Sequence, residues 1–93
     1  MKAAEIMRTL SGKSFRYTRG SISGTMTFMS DGTFTYQETG KGNGSGVWQA
    51  SEGQLCQARN PTPSLPKGSR SECSPFQPSG NGFKAGTTTL SPV

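Results

Sequence analysis

Apolar side chains recur with two different periods along this chain of 93 residues, and the change of period divides it into two parts. Over residues 3–10, Ile6 and Leu10 are four positions apart and Met7 lies beside them, a narrow apolar stripe typical of one short amphipathic helix. Gly12 stands where a left-handed C-terminal cap is common. About two turns of helix are not stable alone in water, so we expect this helix to pack over an open edge or an end of a sheet.

From Ser14 onwards the period is two, which predicts half-buried strands. The clearest hairpin is "GTMTFMSDGTFTYQ". A two-residue Asp31-Gly32 turn would place Phe28 opposite Thr35, whereas a three-residue loop from Ser30 to Gly32 places it opposite Phe34. A slip of one residue moves every side chain to the other face, so the second register, which also pairs Met26 with Tyr36, is predicted.

The rest of the chain predicts further short strands. We expect "TGKGNGSG" to be a loop, and "GVWQASEGQLC" to be a hairpin in which Trp48 lies opposite Leu55. "SECSPF", a turn at "QPSGNG" and a weak strand from Phe83 follow. The prediction is a mainly β fold in one domain, residues 1–93: a small antiparallel meander of six or seven strands, as a barrel or half-barrel, over about residues 14–88.

Composition suggests that this core is small and needs a crosslink. Only 29% of the residues are apolar, and there are thirteen glycines, six prolines and two cysteines. Residues 59–69 form a proline-rich loop that cannot join a sheet, because proline donates no hydrogen bond. We expect Cys56 and Cys73, at either end of this loop, to form a disulfide between neighbouring or facing strands, with Cα atoms about 5.5 Å apart. Two buried free thiols are the alternative, and a zinc site would need more ligands.

Charge and hydropathy bear on the compartment and the partner. Ten Lys and Arg against five Asp and Glu give a net charge of +5 without any basic run, which favours acidic partners. No apolar stretch approaches the roughly 20 residues that span a bilayer. Because disulfides persist in oxidising compartments, we expect a monomeric periplasmic or secreted protein whose signal peptide has been removed, with Met1 in its place.

Several short motifs together resemble a known family. The order "AAEIMRTLSGKSF", "FMSDGTFTY", "GSGVW", "GQLC" and "SECSPFQPSGNGF" is similar to that of short bacterial envelope proteins of unknown function. The resemblance implies export and a small barrel or half-barrel of lipocalin-like or streptavidin-like appearance, and it implies no activity. The proline content of residues 59–69 departs from the family pattern.

No catalytic site, cofactor or metal is expected. The chain has no histidine, its five acidic residues are scattered, and no serine lies in a nucleophile motif. Eight aromatic side chains form either the core or the lining of a calyx for a small apolar ligand. These are Phe15, Tyr17, Phe28, Phe34, Tyr36, Trp48, Phe76 and Phe83.

The preferred prediction is a non-catalytic binding module for a protein partner in the cell envelope, inhibitor-like in its use of a loop. Arg59, Lys67 and Arg70 give the proline-rich loop three positive charges, and its stiffness lowers the entropy lost on binding. The alternative that this segment is only a connector stays open. Basic residues interleaved with aromatics in "KSFRYTRG" raise single-stranded nucleic acid as a further alternative, which export disfavours.

Overall fold

Eight antiparallel strands form a closed barrel in the computed structural model, which describes residues 1–93. Strands adjacent in the chain pair with each other, and β8 pairs with β1. The elements are α1 (Ala3–Leu10), β1 (Lys13–Arg19), β2 (Ile22–Phe28), β3 (Thr33–Glu38), β4 (Gly42–Ser51), β5 (Gln54–Arg59), β6 (Glu72–Ser79), β7 (Gly82–Ala85) and β8 (Thr88–Pro92). The mainly β fold with one short N-terminal helix is confirmed, and the barrel closes fully.

The barrel has eight strands rather than the six or seven predicted, and two segments differ from the sequence prediction. The chain after Phe83 forms two strands rather than one, because Gly86, with φ of 62°, turns it back within two residues. The segment "TGKGNGSG" is a loop only as far as Lys41, and β4 begins at Gly42. Glycines usually weaken a strand, but here alternate glycines face the inside of the barrel where large side chains leave no room for Cβ atoms.

The β2–β3 hairpin has the predicted register. Phe28 lies opposite Phe34, and Gly32 has φ of 92°, which only glycine adopts readily. The Asp31 carboxylate accepts hydrogen bonds from the backbone N–H and the hydroxyl of Thr33, at 2.9 Å and 2.6 Å. The hydrogen bond from the Thr33 hydroxyl has the larger effect and that from the Thr33 backbone N–H the next, and both lower the pKa of Asp31 below its ordinary value.

The β4–β5 hairpin has a different register from the one predicted. Trp48 lies opposite Gln57, and Leu55 lies opposite Ala50. The chain reverses in a two-residue turn that ends at Gly53, with φ of 71°, and this turn fixes the pairing two residues away from the prediction. A shift of two residues keeps the side chains on their faces, so Trp48 and Leu55 are both buried inside the barrel.

Helix α1 closes one end of the barrel. Ile6 and Leu10 have no exposed surface, and both belong to the single core cluster. In the same core cluster Trp48 packs edge-on against Phe28, with ring centroids 5.3 Å apart, and its indole N–H donates to the carbonyl of Met29 at 3.0 Å. The helix therefore lies over an end of the sheet, one of the two predicted positions, and leaves the other end for a site.

The Cys56–Cys73 disulfide is confirmed, and neither cysteine is free. The two residues lie directly opposite each other on β5 and β6, with Cα atoms 4.0 Å apart, closer than expected. Leu55 faces the core, so the neighbouring Cys56 lies on the outer face of the wall. The bond joins the two strands at the base of the proline-rich loop.

Candidate functional site at the barrel mouth

The end of the barrel away from α1 opens into a cavity of about 260 Å³. We call this end the mouth; three turns, at residues 20–21, 39–41 and 86–87, and the long loop 60–71 surround it. The cavity is lined by residues of the barrel interior and two residues of the loop. They are Tyr17, Arg19, Ile22, Met26, Leu55, Gln57, Arg59, Leu65, Ser69, Glu72, Ser74, Ala85 and Thr88.

The loop 60–71 is ordered by its own hydrogen bonds. Thr62 and Leu65 exchange two backbone hydrogen bonds, at 2.9 and 3.0 Å, and form a small bridge within the loop. At its base, the backbone N–H of Ser69 donates to the carbonyl of Arg59 at 2.9 Å, while the Ser69 hydroxyl accepts from the Arg59 N–H at 3.0 Å. Leu65 and Ser69 therefore hold fixed positions at the cavity rim.

A glycine on β2 lets two polar side chains meet inside the mouth. Tyr17, Gly24 and Glu38 lie opposite one another on β1, β2 and β3. The Tyr17 hydroxyl reaches across Gly24 and donates to the Glu38 carboxylate at 2.8 Å. A Cβ atom at Gly24 would lie 2.9 Å from that hydroxyl oxygen and closer still to the backbone carbonyl of Gln37, so this position excludes larger residues.

Glycines on β4 make the same kind of room for Arg59. Gly44 lies opposite Tyr36, and a Cβ atom there would clash with Cζ, Cε1 and the hydroxyl oxygen of the tyrosine. The flat ring of Tyr36 therefore covers β4, and the Arg59 guanidinium stacks on it, 4.7 Å from the centroid. Arg59 also approaches Glu38, with Nη1 3.7 Å from Oε1. We call Tyr17, Tyr36, Glu38 and Arg59 the mouth cluster.

Tyr17 stays a hydrogen-bond donor throughout the ordinary pH range. Burial of its side chain, followed by the hydrogen bond to the Glu38 carboxylate, raises the pKa of Tyr17 well above its usual value. The Glu38 side chain is only 8% exposed, so this donor and the Arg59 charge offset the cost of burying its carboxylate. The buried polar groups of the mouth cluster, the Tyr17 hydroxyl and the Glu38 carboxylate, are therefore paired at the edge of an apolar core.

Charge is distributed unevenly between the ends of the barrel. The mouth carries five basic residues, Arg19, Lys41, Arg59, Lys67 and Arg70, and two acidic ones, Glu38 and Glu72. The closed end carries three basic and three acidic side chains: Lys2, Arg8, Lys13, Glu5, Asp31 and Glu52. The side wall adds Arg16 and Lys84. The excess positive charge is thus largest at the mouth.

The structure places the eight aromatic residues mostly below the cavity. Seven are buried, and Phe83, the eighth, is partly buried against them. Only Tyr17 lines the mouth cavity. Aromatic contacts such as Phe76 on Phe83, with centroids 5.2 Å apart, fill the lower barrel and leave the cavity small.

The three predicted loop cations occupy different surroundings. Arg59 is the last residue of β5 and faces the barrel interior, whereas Lys67 and Arg70 are exposed on the loop. Neither Glu38 nor Gly24 was predicted from the sequence to belong to a site, and no role was predicted for Gly44. The period-two glycines in "GNGSG" were the available signal, since alternation within a polar segment is a property of strands.

No protein-family model, curated protein or solved structure matches this chain.

Proposed function

We propose that this protein is a non-catalytic binding module that holds an acidic surface of a protein partner at the barrel mouth. The distribution of charge carries this proposal, because half of the ten basic residues surround one end of the molecule. Complementary charge speeds association and selects acidic partners. Lys67 and Arg70 form the outer part of this surface, and the cavity with Arg59 forms its centre.

The ordered loop supports a protein partner. A loop fixed by internal hydrogen bonds, three prolines and a disulfide close to its base loses little conformational freedom on binding. It also extends the surface beyond the cavity, and a standard protein interface needs about 800 Å² from each partner. An inhibitor that presents this loop to an enzyme is the specific form that we propose for the function.

The disulfide supports an oxidising compartment, and we propose that the protein acts in the bacterial periplasm or outside the cell. Helix α1, the one helix of the fold, has eight residues and is too short to span a bilayer. Membership of the envelope family that the sequence resembles is part of this proposal, and the barrel with one helix is the architecture that the resemblance implies.

The two alternatives have less support. A small apolar ligand would have to share a cavity of about 260 Å³ with Arg19, Arg59 and Glu72, below the usual 300–1,000 Å³ of ligand sites. Single-stranded nucleic acid is bound by stacking on exposed aromatic rings, whereas Phe15 and Tyr17 of "KSFRYTRG" face the core.

Capture of the partner with matched charge variants tests the proposal. The wild-type protein, the loop variant K67E/R70E and the side-wall variant R16E/K84E, which has the same net charge, are immobilised and exposed to envelope extract. We expect one protein to be retained by the wild type and the side-wall variant, released by salt, and lost with the loop variant. Equal capture by all three proteins, or no capture even after chemical crosslinking, contradicts the proposal. Inhibition of a captured enzyme at equimolar protein would establish the inhibitor form.

A further inference from the structure

The Arg59 guanidinium is held in place by stacking and makes little use of its hydrogen-bond donors within the protein. Its one ionic contact, to Glu38, is 3.7 Å long, beyond hydrogen-bond distance. Every fully buried side-chain nitrogen and oxygen has a partner, so the unpaired N–H groups of Arg59 are those reached by solvent. The side chain is 26% exposed and lines the mouth cavity, so these donors face a space that a ligand can enter.

Glu38 does not depend on Arg59 for a hydrogen bond. Its Oε1 atom accepts from the Tyr17 hydroxyl at 2.8 Å, and Gly24 keeps the space between them open. A second carboxylate can therefore take the guanidinium while Glu38 keeps its donor. A planar guanidinium fixed against a tyrosine ring offers two parallel N–H groups, the geometry that binds a carboxylate in bidentate fashion.

The surroundings favour one singly charged group. Arg19 lines the cavity from β1, and Arg59 lines it from β5. These two strands are four strands apart in either direction around the barrel. Glu72 also lines the cavity, and Glu38 lies behind Arg59. These two acidic side chains repel a doubly charged phosphate more than a carboxylate. The volume of about 260 Å³ admits a side chain rather than a folded segment.

We propose that Arg59 anchors a single carboxylate group, that of an Asp or Glu side chain, in the mouth cavity, in competition with Glu38. The identification of this group as a side chain of a protein partner rests on the proposed function. The carboxylate site itself does not, because a free carboxylic acid would use the same donors.

Titration with a defined probe measures the site directly. N-acetyl-glutamate α-amide, which carries one carboxylate, is added at low salt while amide chemical shifts of the mouth residues are followed by NMR. We expect R59Q to weaken binding at least tenfold and R59K severalfold, because lysine lacks the planar fork. R16Q, which removes an exposed arginine of the side wall away from the mouth, should change affinity less than twofold. E38Q should tighten binding severalfold, since its amide still accepts from Tyr17 but no longer competes for Arg59.

The opposite signs for R59Q and E38Q distinguish this site from general attraction. Equal losses in R59Q and R16Q, or weaker binding in E38Q, would overturn the inference, as would tighter binding of inorganic phosphate than of the probe. Unchanged amide chemical shifts outside the mouth show that each variant is folded. If R59Q does not fold, R59K replaces it in this comparison.

Two further measurements distinguish failure of the carboxylate site from failure of the proposed function. An acetyl-Gly-Glu-Gly-amide peptide that binds at least as tightly as the probe supports a protein side chain as the ligand. Binding of the probe but not of the peptide overturns the protein side chain and assigns the site to a free acid. Partner capture that survives R59Q while the probe does not bind the wild-type protein overturns the carboxylate site and leaves the binding module standing.

Discussion

Substitution of Gly44 by alanine tests whether β4 glycines create the space that the mouth cluster occupies. A Cβ atom at Gly44 would lie 2.6 Å from Cε1 of Tyr36 and closer still to Cζ and the hydroxyl. Carbon atoms in contact are normally 3.5–4.0 Å apart, so the ring must move by about 1 Å. It has little room, because Tyr36 is 6% exposed, stacks on Phe34 at 6.0 Å and is covered by the Arg59 guanidinium 4.7 Å from the ring centroid.

The expected loss of stability follows from three contributions. Overpacking a buried site costs about 1–3 kcal/mol. Displacement of Tyr36 also removes the stacking of Arg59, which contributes about 0.5–1 kcal/mol. Alanine offsets about 0.5–1 kcal/mol, because it loses less backbone entropy than glycine on folding. We expect Gly44→Ala to destabilise the fold by about 1–3 kcal/mol, which lowers Tm by roughly 4–8 °C per kcal/mol.

Urea unfolding followed by the fluorescence of Trp48, a buried residue and the sole tryptophan, measures this change. The matched background is Tyr36→Val, which removes the clashing ring atoms and keeps an apolar, β-branched residue on the strand. In that background Gly44→Ala should cost nothing or stabilise slightly. The same cost in both backgrounds would show that Tyr36 is not the reason for Gly44 and would refute the reasoning.

Reduction of the Cys56–Cys73 disulfide should lower the free energy of unfolding by about 2–4 kcal/mol, measured by urea titration with and without reductant; an unchanged midpoint contradicts it. Gly32→Val should cost about 1 kcal/mol or more by the same titration, because its φ of 92° strains a β-branched residue, and a silent substitution argues against the turn. Asp31→Asn should lower Tm at neutral pH, because the pKa of Asp31 is depressed in the folded protein. The stabilising effect of the carboxylate is present above the ordinary aspartate pKa and disappears as pH falls through the folded pKa. A Tm difference between the wild type and the variant that does not shrink in acid contradicts this prediction.

The sequence predicted the elements whose faces differ clearly in polarity. The β2–β3 register followed from alternation around Asp31-Gly32, and the helix stripe of Ile6 and Leu10 correctly placed apolar residues against the barrel. The pairing of Trp48 was wrong by two residues, because a shift of two leaves the buried face unchanged and so carries no penalty in the pattern.

The mouth cluster could not be predicted, since it joins residues that are distant in the chain. Tyr17 and Glu38 meet only because two strand pairings are both in register with Gly24 between them. Arg59 reaches Tyr36 across β4, whose first residues, 42–46, were predicted to be a loop because of their glycines. Composition shows how many glycines a chain has, but only the strand register shows which aromatic side chains lie opposite them.

The two ends of the barrel differ in structure, and this difference explains how so small a core leaves room for a site. Closure by Ile6 and Leu10 buries apolar surface at one end, and aromatic rings fill the interior above them. At the mouth, Gly24 and Gly44 stand at inward-facing positions where larger side chains would otherwise extend the core. The space is occupied by Tyr17, Glu38 and Arg59, whose polar groups satisfy one another as far as burial requires and leave the guanidinium edge accessible. The same glycines therefore set both the limit of the core and the position of the proposed carboxylate anchor.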